Sequence, residues 1–400
     1  MASSQTLLNL LEQVQRRALM VAGIGVLLAL LGIFLNRPQF FQSYLFAYFF
    51  WLGIGLGCLT LLLVYHLTSG RWGFMLRRVL ESAAVMTVLM ALLTIPLFFG
   101  MTDLYSWANA ANVATDPLLQ HKQPYLNIPF FIIRNGLYFV IWCGVAGLLW
   151  RWSGRQDQPA DTYLLSERQR RFSGPALALY GLTITFAAMD WLMSLEPHWF
   201  STIFGAMIAA AQVVTALALA TIVLIVLAKH HAPLHELVDQ RLDDLGKLLL
   251  ALALFWVYMA FIQYLIIWAG NLPEEVVWYL RRLRHGWQWV ALLVLLFHFV
   301  LPFVALLAGR VRKGRRNLVI VAAGILGADL LYFYWLVTPV FHPTIHLHWL
   351  DLVLPCAIGG LWLAALAWQL RRRPLLVQYD PVWTKIETNE TALQEVMAHE

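Results

Sequence analysis

The chain has 400 residues, of which 60% are hydrophobic and only 12% are charged, with a net charge of +6 and a mean hydropathy of +0.68. A water-soluble globule of this length does not carry so much apolar surface, so the composition excludes that class. The basic residues are dispersed among short loops, and the positive charge therefore gives no reason to expect a nucleic-acid partner.

Ten apolar segments are each long enough to cross a hydrocarbon core of about 30 Å as a helix. They predict an all-α integral membrane protein with ten transmembrane helices, numbered here spans 1 to 10. In chain order the predicted spans are residues 18–35, 43–66, 79–99, 126–150, 174–194, 202–228, 247–269, 287–309, 317–337 and 349–370.

The distribution of Lys and Arg predicts the orientation of the spans. With the N-terminus inside, 22 of the 28 basic residues fall on the inner side and five on the outer side, and Arg134 lies within span 4. The positive-inside rule therefore places both termini in the cytoplasm. The first apolar run does not end at a small-residue cleavage site, so we expect span 1 to be retained. Leu7, Leu11 and Val14 share one helical face, which predicts a short interfacial helix over 4–17 before span 1.

A weak internal repeat relates the two halves of the chain. Residues 134–136 (Arg-Asn-Gly) open span 4 and residues 284–286 (Arg-His-Gly) open span 8, while Asp190 and Asp329 fall in spans 5 and 9. This spacing predicts two parallel-repeat four-helix bundles, spans 2–5 and spans 6–9, with peripheral first and tenth helices. The corresponding divisions are 1–42, 43–200, 201–340, 341–373 and a cytoplasmic tail at 374–400.

A few ionisable residues lie at depths where water is normally absent. Asp329 and His298 are roughly 16–18 Å from the inner ends of their spans, near the midplane. An ionised side chain there costs about 2.5–3.5 kcal/mol on the insertion scale, so such residues usually face a partner or a cavity. Together with polar residues nearer the two surfaces they are candidates for a proton pathway: Asp329, His298, Asp190, Glu81, Gln263, Glu196, His198, Glu274 and Glu275.

Structural roles are open for several of these candidates. Glu81 follows Arg77 by four residues and Arg78 by three, the spacing of intrahelical ion pairs. Asp190 is placed to bond an indole or the backbone near the outer surface. Taken alone, His298 is typical of a hydrogen-bonded core histidine. Because Asp329 lies at a similar depth, a functional pair of the two residues is favoured.

A quinone site is the second hypothesis drawn from the residues, because a quinone head needs polar partners and an aromatic slot. The candidates are Tyr264, Trp268, Arg134 and His342, although aromatic belts at the membrane surfaces account for most aromatic residues. Cys58, Cys143 and Cys356 lie singly in apolar segments, so we expect buried, inert thiols and no metal site.

Three segments, 72–81 (WGFMLRRVLE), 189–202 (MDWLMSLEPHWFST) and 263–275 (QYLIIWAGNLPEE), resemble a known family. It is the NrfD and polysulfide-reductase family of membrane anchors, and the likeness to the ActF subunits of bacterial alternative complex III extends over nearly the whole chain. The resemblance implies a bacterial inner-membrane subunit of a quinol:electron acceptor oxidoreductase, in a respiratory or photosynthetic chain. It also implies a subunit without a redox centre of its own, which provides proton half-channels or scaffold.

The same resemblance implies the cofactors and partners. No cofactor is covalently bound, menaquinone or another quinone belongs to the complex, and haem and iron–sulfur centres lie only in partner subunits. The expected partners are a homologous NrfD-like (ActC-like) membrane subunit, which is the better candidate for quinol oxidation, iron–sulfur and multihaem cytochrome c subunits, and lipids. The alternatives are a purely structural or quinone-binding scaffold and a stand-alone ion-coupled transporter. The transporter is disfavoured because no span is visibly broken at its middle.

Overall fold

The computed structural model describes residues 2–158, 162–377 and 379, and their regular secondary structure is entirely helical. Ten helical segments of the described residues are long and apolar enough to cross a membrane, which confirms the predicted class and number. They are Gln5–Leu35, Arg37–Thr68, Trp72–Phe99, Ile128–Arg155, Thr162–Leu195, Phe204–Ala228, Ala232–Gly270, Trp287–Leu307, Arg315–Phe341 and Leu350–Leu370. The predicted tail lies mostly outside the described residues.

Two of the spans are built from shorter pieces. Span 3 consists of the helices Arg71–Ala84, Thr87–Leu93 and Ile95–Phe99, and span 8 consists of Trp287–Val294, a π-helical turn at Leu295–Val300 and Leu301–Leu307. The expectation of uninterrupted spans is therefore wrong. Pro96 explains the second break of span 3, because proline has no N–H to donate and its ring clashes with the carbonyl four residues earlier. Shorter helices in the connections are Met101–Leu104, Ala110–Thr115, Pro117–Lys122, Pro273–Arg282 and Gly309–Arg312, with 3₁₀ turns at Ser106–Ala108 and Met193–Leu195.

Several helices begin earlier than the hydropathy pattern predicts, and spans 1 and 7 differ most. The helix of span 1 starts at Ala2, so a separate interfacial helix over 4–17 is wrong: no Gly or Pro interrupts this stretch, and the helix continues into the span. Leu7 and Leu11 are buried as expected, whereas Val14 is exposed. The helix of span 7 starts at Ala232, where the His231 side chain accepts a hydrogen bond from the Leu234 N–H. Its first turns are polar, and a hydropathy window does not detect them.

Spans 2 and 6 form the centre of the molecule and are mostly buried by their neighbours. They approach closely at Gly57, where a Cβ atom would lie 2.1 Å from the Gln212 carbonyl oxygen. Span 2 also packs on spans 3, 5, 9 and 10, and span 6 on spans 5, 7 and 9. Span 1 packs along span 10 and meets it at Gly360, where a Cβ atom would lie 2.7 Å from the Ala18 carbonyl oxygen.

Ion pairs and polar contacts identify the two ends of the helices. Arg78 pairs with Asp157, Arg371 with Glu12 and Arg315 with Asp239 at one end, here called the basic face. At the other end, the opposite face, Arg37 pairs with Asp103 and Arg281 with Glu196. The basic face corresponds to the side that the sequence predicts to be cytoplasmic.

The residue correspondence on which the repeat was based is not reproduced. Arg134 and Gly136 lie inside the helix of span 4, and Arg134 is buried. Arg284 is exposed and Gly286, with φ +99°, lies in the turn that precedes span 8. The two tripeptides therefore occupy different structural positions, and they do not confirm the predicted repeat.

Candidate functional site

Asp329 and His298 meet in the interior of the molecule. The Oδ1 atom of Asp329 lies 3.4 Å from Nε2 of His298, and the two side chains are 1% and 0% exposed. Trp256 of span 7 lies against the imidazole, with 4.0 Å between ring centroids. Neither residue faces lipid, so the expected pairing of the two groups across spans 8 and 9 is realised in the structure.

The backbone of span 8 changes its hydrogen-bond pattern at His298. The turn Leu295–Val300 is π-helical, and Pro302 follows four residues after His298. In a regular α-helix the Pro302 ring would clash with the His298 carbonyl, and the wider π turn accommodates it. Such single turns are frequent at functional sites. Pro302 was the sequence signal for this feature, and the sequence prediction did not use it.

Polar atoms around the pair have no hydrogen-bond partner. Buried polar atoms are bonded in more than about nine cases out of ten, so a local concentration of unbonded ones indicates water or a ligand. The Asp329–His298 contact itself lacks hydrogen-bond geometry, and Thr215 of span 6 lies beside Asp329 without completing a bond. The unpartnered atoms here are Thr215 Oγ1, Trp256 Nε1, His298 Nδ1 and Nε2, Asp329 Oδ1 and Tyr332 Oη.

A cavity of about 140 Å³ adjoins the pair on the side of the opposite face. Trp256 and Tyr332 line its inner end, and Tyr264, Trp278 and Tyr279 line the end nearer the opposite face. Tyr264, one of the quinone candidates, is therefore at a cavity wall, and its side chain is exposed. The cavity therefore extends from the outer part of spans 7 to 9 to the aromatic rings that adjoin His298.

The interior between the pair and the basic face is packed with apolar side chains. Ile325, Ala322 and Leu318 follow Asp329 down span 9, and all three are fully buried. Leu249 of span 7 and Leu306 of span 8 are fully buried as well. Apolar side chains therefore separate the pair from the basic face, whereas the cavity lies on the other side of the pair.

Asp190, a proton-pathway candidate, forms a closed ion pair with Arg134, a quinone candidate. The Arg134 Nε and Nη2 atoms donate to Oδ2 and Oδ1 of Asp190 at 2.9 and 2.8 Å, and Tyr138 donates to Oδ2 at 2.7 Å. Arg134 also donates to the Tyr125 carbonyl and lies over the Tyr125 ring. Both charged groups are buried and bonded, which is the pattern of a structural pair.

Glu81 lies in a buried ionic cluster at the basic face. Its carboxylate accepts from Arg77 Nε at 2.8 Å and from Arg78 Nη1 at 3.0 Å, as the i,i+4 and i,i+3 spacing indicated. Arg77 also donates to Gln156, and Arg78 to Asp157. The intrahelical ion pair that the spacing predicted is confirmed, and it ties span 3 to the end of span 4.

The remaining pathway candidates are distributed along the opposite face, and none contacts the Asp329–His298 pair. Glu196 is bound by Arg281 and by the buried Arg282, Gln263 accepts from Ser201 at 2.6 Å, and His198 pairs with Asp116 at 2.7 Å. Glu274 is exposed and Glu275 half-buried. Glu196, Gln263 and His198 connect loops of the opposite face to one another and to the spans. Of the nine pathway candidates, only Asp329 and His298 are brought together at depth.

The other two quinone candidates lie away from the cavity. Trp268 is 65% exposed at the end of span 7. The His342 Nε2 atom lies 3.0 Å from Gln42 Oε1, and its ring stacks on His346 with 4.2 Å between centroids. Burial and the neighbouring His346 lower the pKa of His342. The four quinone candidates therefore do not form one site.

Sequence reasoning missed several side chains that complete these clusters. Trp256 and Tyr332 adjoin the central pair, and Tyr332 was detectable because it follows Asp329 by three residues on one helical face. Asp351 is buried at the start of span 10, where it accepts from Ser43 at 2.5 Å. The expectation of three buried cysteines is wrong for two of them, because Cys143 is half-buried at the edge of the core and Cys356 is exposed.

Within the described residues, no group of three or more His, Cys, Asp and Glu side chains has an arrangement that would hold a metal ion. No protein-family model matches the chain, and no curated protein matches it. The family resemblance therefore depends on the three segments quoted above.

Proposed function

We propose that the chain is a membrane subunit of a quinol:electron acceptor oxidoreductase similar to alternative complex III, and that it exchanges protons at Asp329 and His298. The observation that carries the proposal is the 3.4 Å approach of a carboxyl and an imidazole, both sealed from lipid, among polar atoms without partners. Intramembrane acidic and imidazole groups of this kind mark proton relays in membrane proteins. The family resemblance supplies the redox context, since quinol oxidation by a partner subunit releases protons and energy.

The surroundings of the pair support a gated path. The cavity lined by Trp256 and Tyr332 lies on the side of the opposite face, and the buried apolar side chains Ile325 and Leu306 lie toward the basic face. A proton that crosses a membrane potential carries about 2.3 kcal/mol per 100 mV, so a path open at both ends would be a leak. In this proposal the second half-channel opens only when the π-helical turn of span 8 rearranges.

We further infer the placement of the chain. The two-bundle arrangement, spans 2–5 and 6–9, is supported by the packing of spans 2 and 6 at the centre and of spans 5 and 9 beside them. The basic face would be cytoplasmic in the bacterial inner membrane, in keeping with the positive-inside rule. The partners in this proposal are an ActC-like membrane subunit and iron–sulfur and multihaem cytochrome subunits, which hold all redox centres.

The experiment measures the number of protons released per electron in vesicles that contain the whole complex, and it compares Asp329→Asn with the parent protein. We expect a lower ratio, because asparagine does not titrate but keeps the shape of the side chain. Asp116→Asn, at the opposite face, is the matched control and should leave the ratio unchanged. An unchanged ratio and rate in Asp329→Asn would reject the proton role and favour a scaffold. Solute uptake by the purified chain alone would favour a transporter.

A second candidate function, quinone binding, is favoured by the aromatic cavity. Its volume of about 140 Å³ is close to that of an engineered cavity of about 150 Å³ that binds benzene. Trp256 Nε1 and Tyr332 Oη lack partners and are suited to bond a quinone carbonyl. We expect the Tyr332→Phe chain to bind a short-chain quinone analogue roughly tenfold more weakly, as loss of one hydrogen bond to the ligand implies. Tyr258→Phe, at an exposed position of span 7, is the control, and equal affinities in all three chains would exclude the cavity as the site.

A further inference from the structure

A second cavity, of about 260 Å³, opens at the opposite face beside the Arg134–Asp190 pair. It lies where span 4 begins and span 5 ends, next to the loops of the opposite face. Its walls come from the Pro117–Lys122 helix and the turn after it, the end of span 5, and the connection to span 6. No pathway or quinone candidate lines it.

The polar side chains that line this cavity can all donate hydrogen bonds, and none is a carboxylate. Lys122 donates to the Pro197 carbonyl at 2.5 Å, and within the described chain no ion pair joins it to an acidic residue. Trp199 is buried, and its Nε1 atom has no partner. Tyr125 Oη also lacks a partner. Burial, and to a smaller degree the negative charge of the nearby Asp190, raise the pKa of Tyr125 to about 12, so the hydroxyl stays protonated.

The rest of the wall is apolar. Leu126, Met189, Met193 and Phe200 line it, and the Phe200 ring is exposed toward the surroundings of the protein. A ligand for such a wall needs a head that accepts hydrogen bonds and carries negative charge, joined to a hydrocarbon chain. The lining side chains include a lysine and no carboxylate that could pair with an ammonium group, which favours an anionic head over a zwitterionic one.

We propose that this cavity binds an anionic phospholipid of the leaflet at the opposite face. Its phosphate accepts from Lys122 and Trp199, and one acyl chain lies along Met193 and Phe200. Phosphate is also available as the free anion, but the apolar wall gives the lipid contacts that a free anion does not make. A bound lipid here would cover the Arg134–Asp190 pair from the outside.

The test is photo-crosslinking from within the wall. Phe200 is replaced by p-benzoylphenylalanine in the full chain, which is placed in nanodiscs of equal parts phosphatidylglycerol and phosphatidylcholine, irradiated and analysed by mass spectrometry. We expect adducts mainly with phosphatidylglycerol. When Lys122→Gln is added, the excess of phosphatidylglycerol adducts over phosphatidylcholine adducts should fall roughly tenfold, as loss of one charge-assisted hydrogen bond implies. Arg284→Gln removes one charge from an exposed position of the same face and should leave the excess unchanged.

Each other outcome rejects the proposal. Adducts in the proportion of the bilayer, unaffected by Lys122→Gln, would show unspecific surrounding lipid. Loss of the excess in both variants would show a general effect of surface charge. Displacement of phosphatidylglycerol by millimolar inorganic phosphate at constant ionic strength would assign the site to the free anion.

Discussion

Asp190→Asn is expected to lower the free energy of unfolding by about 3–5 kcal/mol, the usual cost of removing one partner from a buried ion pair. The change leaves the Arg134 guanidinium buried, with the Tyr125 carbonyl as its remaining strong acceptor. It also weakens the hydrogen bond from Tyr138, which now donates to an amide rather than to a carboxylate. Unfolding in mixed micelles, followed by circular dichroism, measures the loss.

Two further variants test whether this loss of stability comes from breaking a buried structural ion pair. Asp116→Asn removes an exposed pair with His198 and should cost no more than about 1 kcal/mol. The double variant Arg134→Met with Asp190→Leu replaces both charges by apolar side chains and should recover most of the stability, as buried pairs replaced in this way often do. A double variant no more stable than Asp190→Asn would contradict a structural pair and favour a role for the charges themselves.

The carboxylates near the two faces and the carboxyl group at the centre differ in their cationic partners. At the basic face Glu81 is held by two arginines, and at the opposite face Glu196 is held by two more. Asp329 has only His298 as a cationic neighbour within the described residues, and the contact is not a hydrogen bond. Among the described residues the central carboxyl has no guanidinium partner, and this difference is why the proposed function assigns proton exchange to Asp329 and His298.

The sequence was sufficient to predict which segments form the spans and how deep Asp329 and His298 lie in them. Helix length and hydropathy determine which segments cross, and a rise of 1.5 Å per residue places Asp329 and His298 at one level. The pairing of Arg134 with Asp190 was not predictable in the same way. It depends on how spans 4 and 5 are rotated about their axes, and the apolar residues around all sides of both helices leave that rotation undetermined.

The cluster at Glu81 was predictable in part, since its bonds to Arg77 and Arg78 lie within one helix and follow from spacing alone. The bonds from Arg77 to Gln156 and from Arg78 to Asp157 were not predictable, because each joins residues 79 positions apart at the ends of different spans. Long-range partners of this kind are determined by tertiary packing. The same limit applies to Trp256, which reaches His298 only through the packing of spans 7 and 8.

Glu81→Gln distinguishes a structural carboxylate from a relay group. We expect a loss of about 3 kcal/mol in the free energy of unfolding, because two buried guanidinium groups lose their shared counter-ion. In complexes that still assemble, proton release per electron should be unchanged, since a carboxylate bound by two arginines stays ionised and does not exchange its proton. Glu167→Gln, which removes an exposed pair with Arg171, should alter neither quantity. A reduced proton ratio in Glu81→Gln would instead place the carboxylate on the path, as the entry to a half-channel from the basic face.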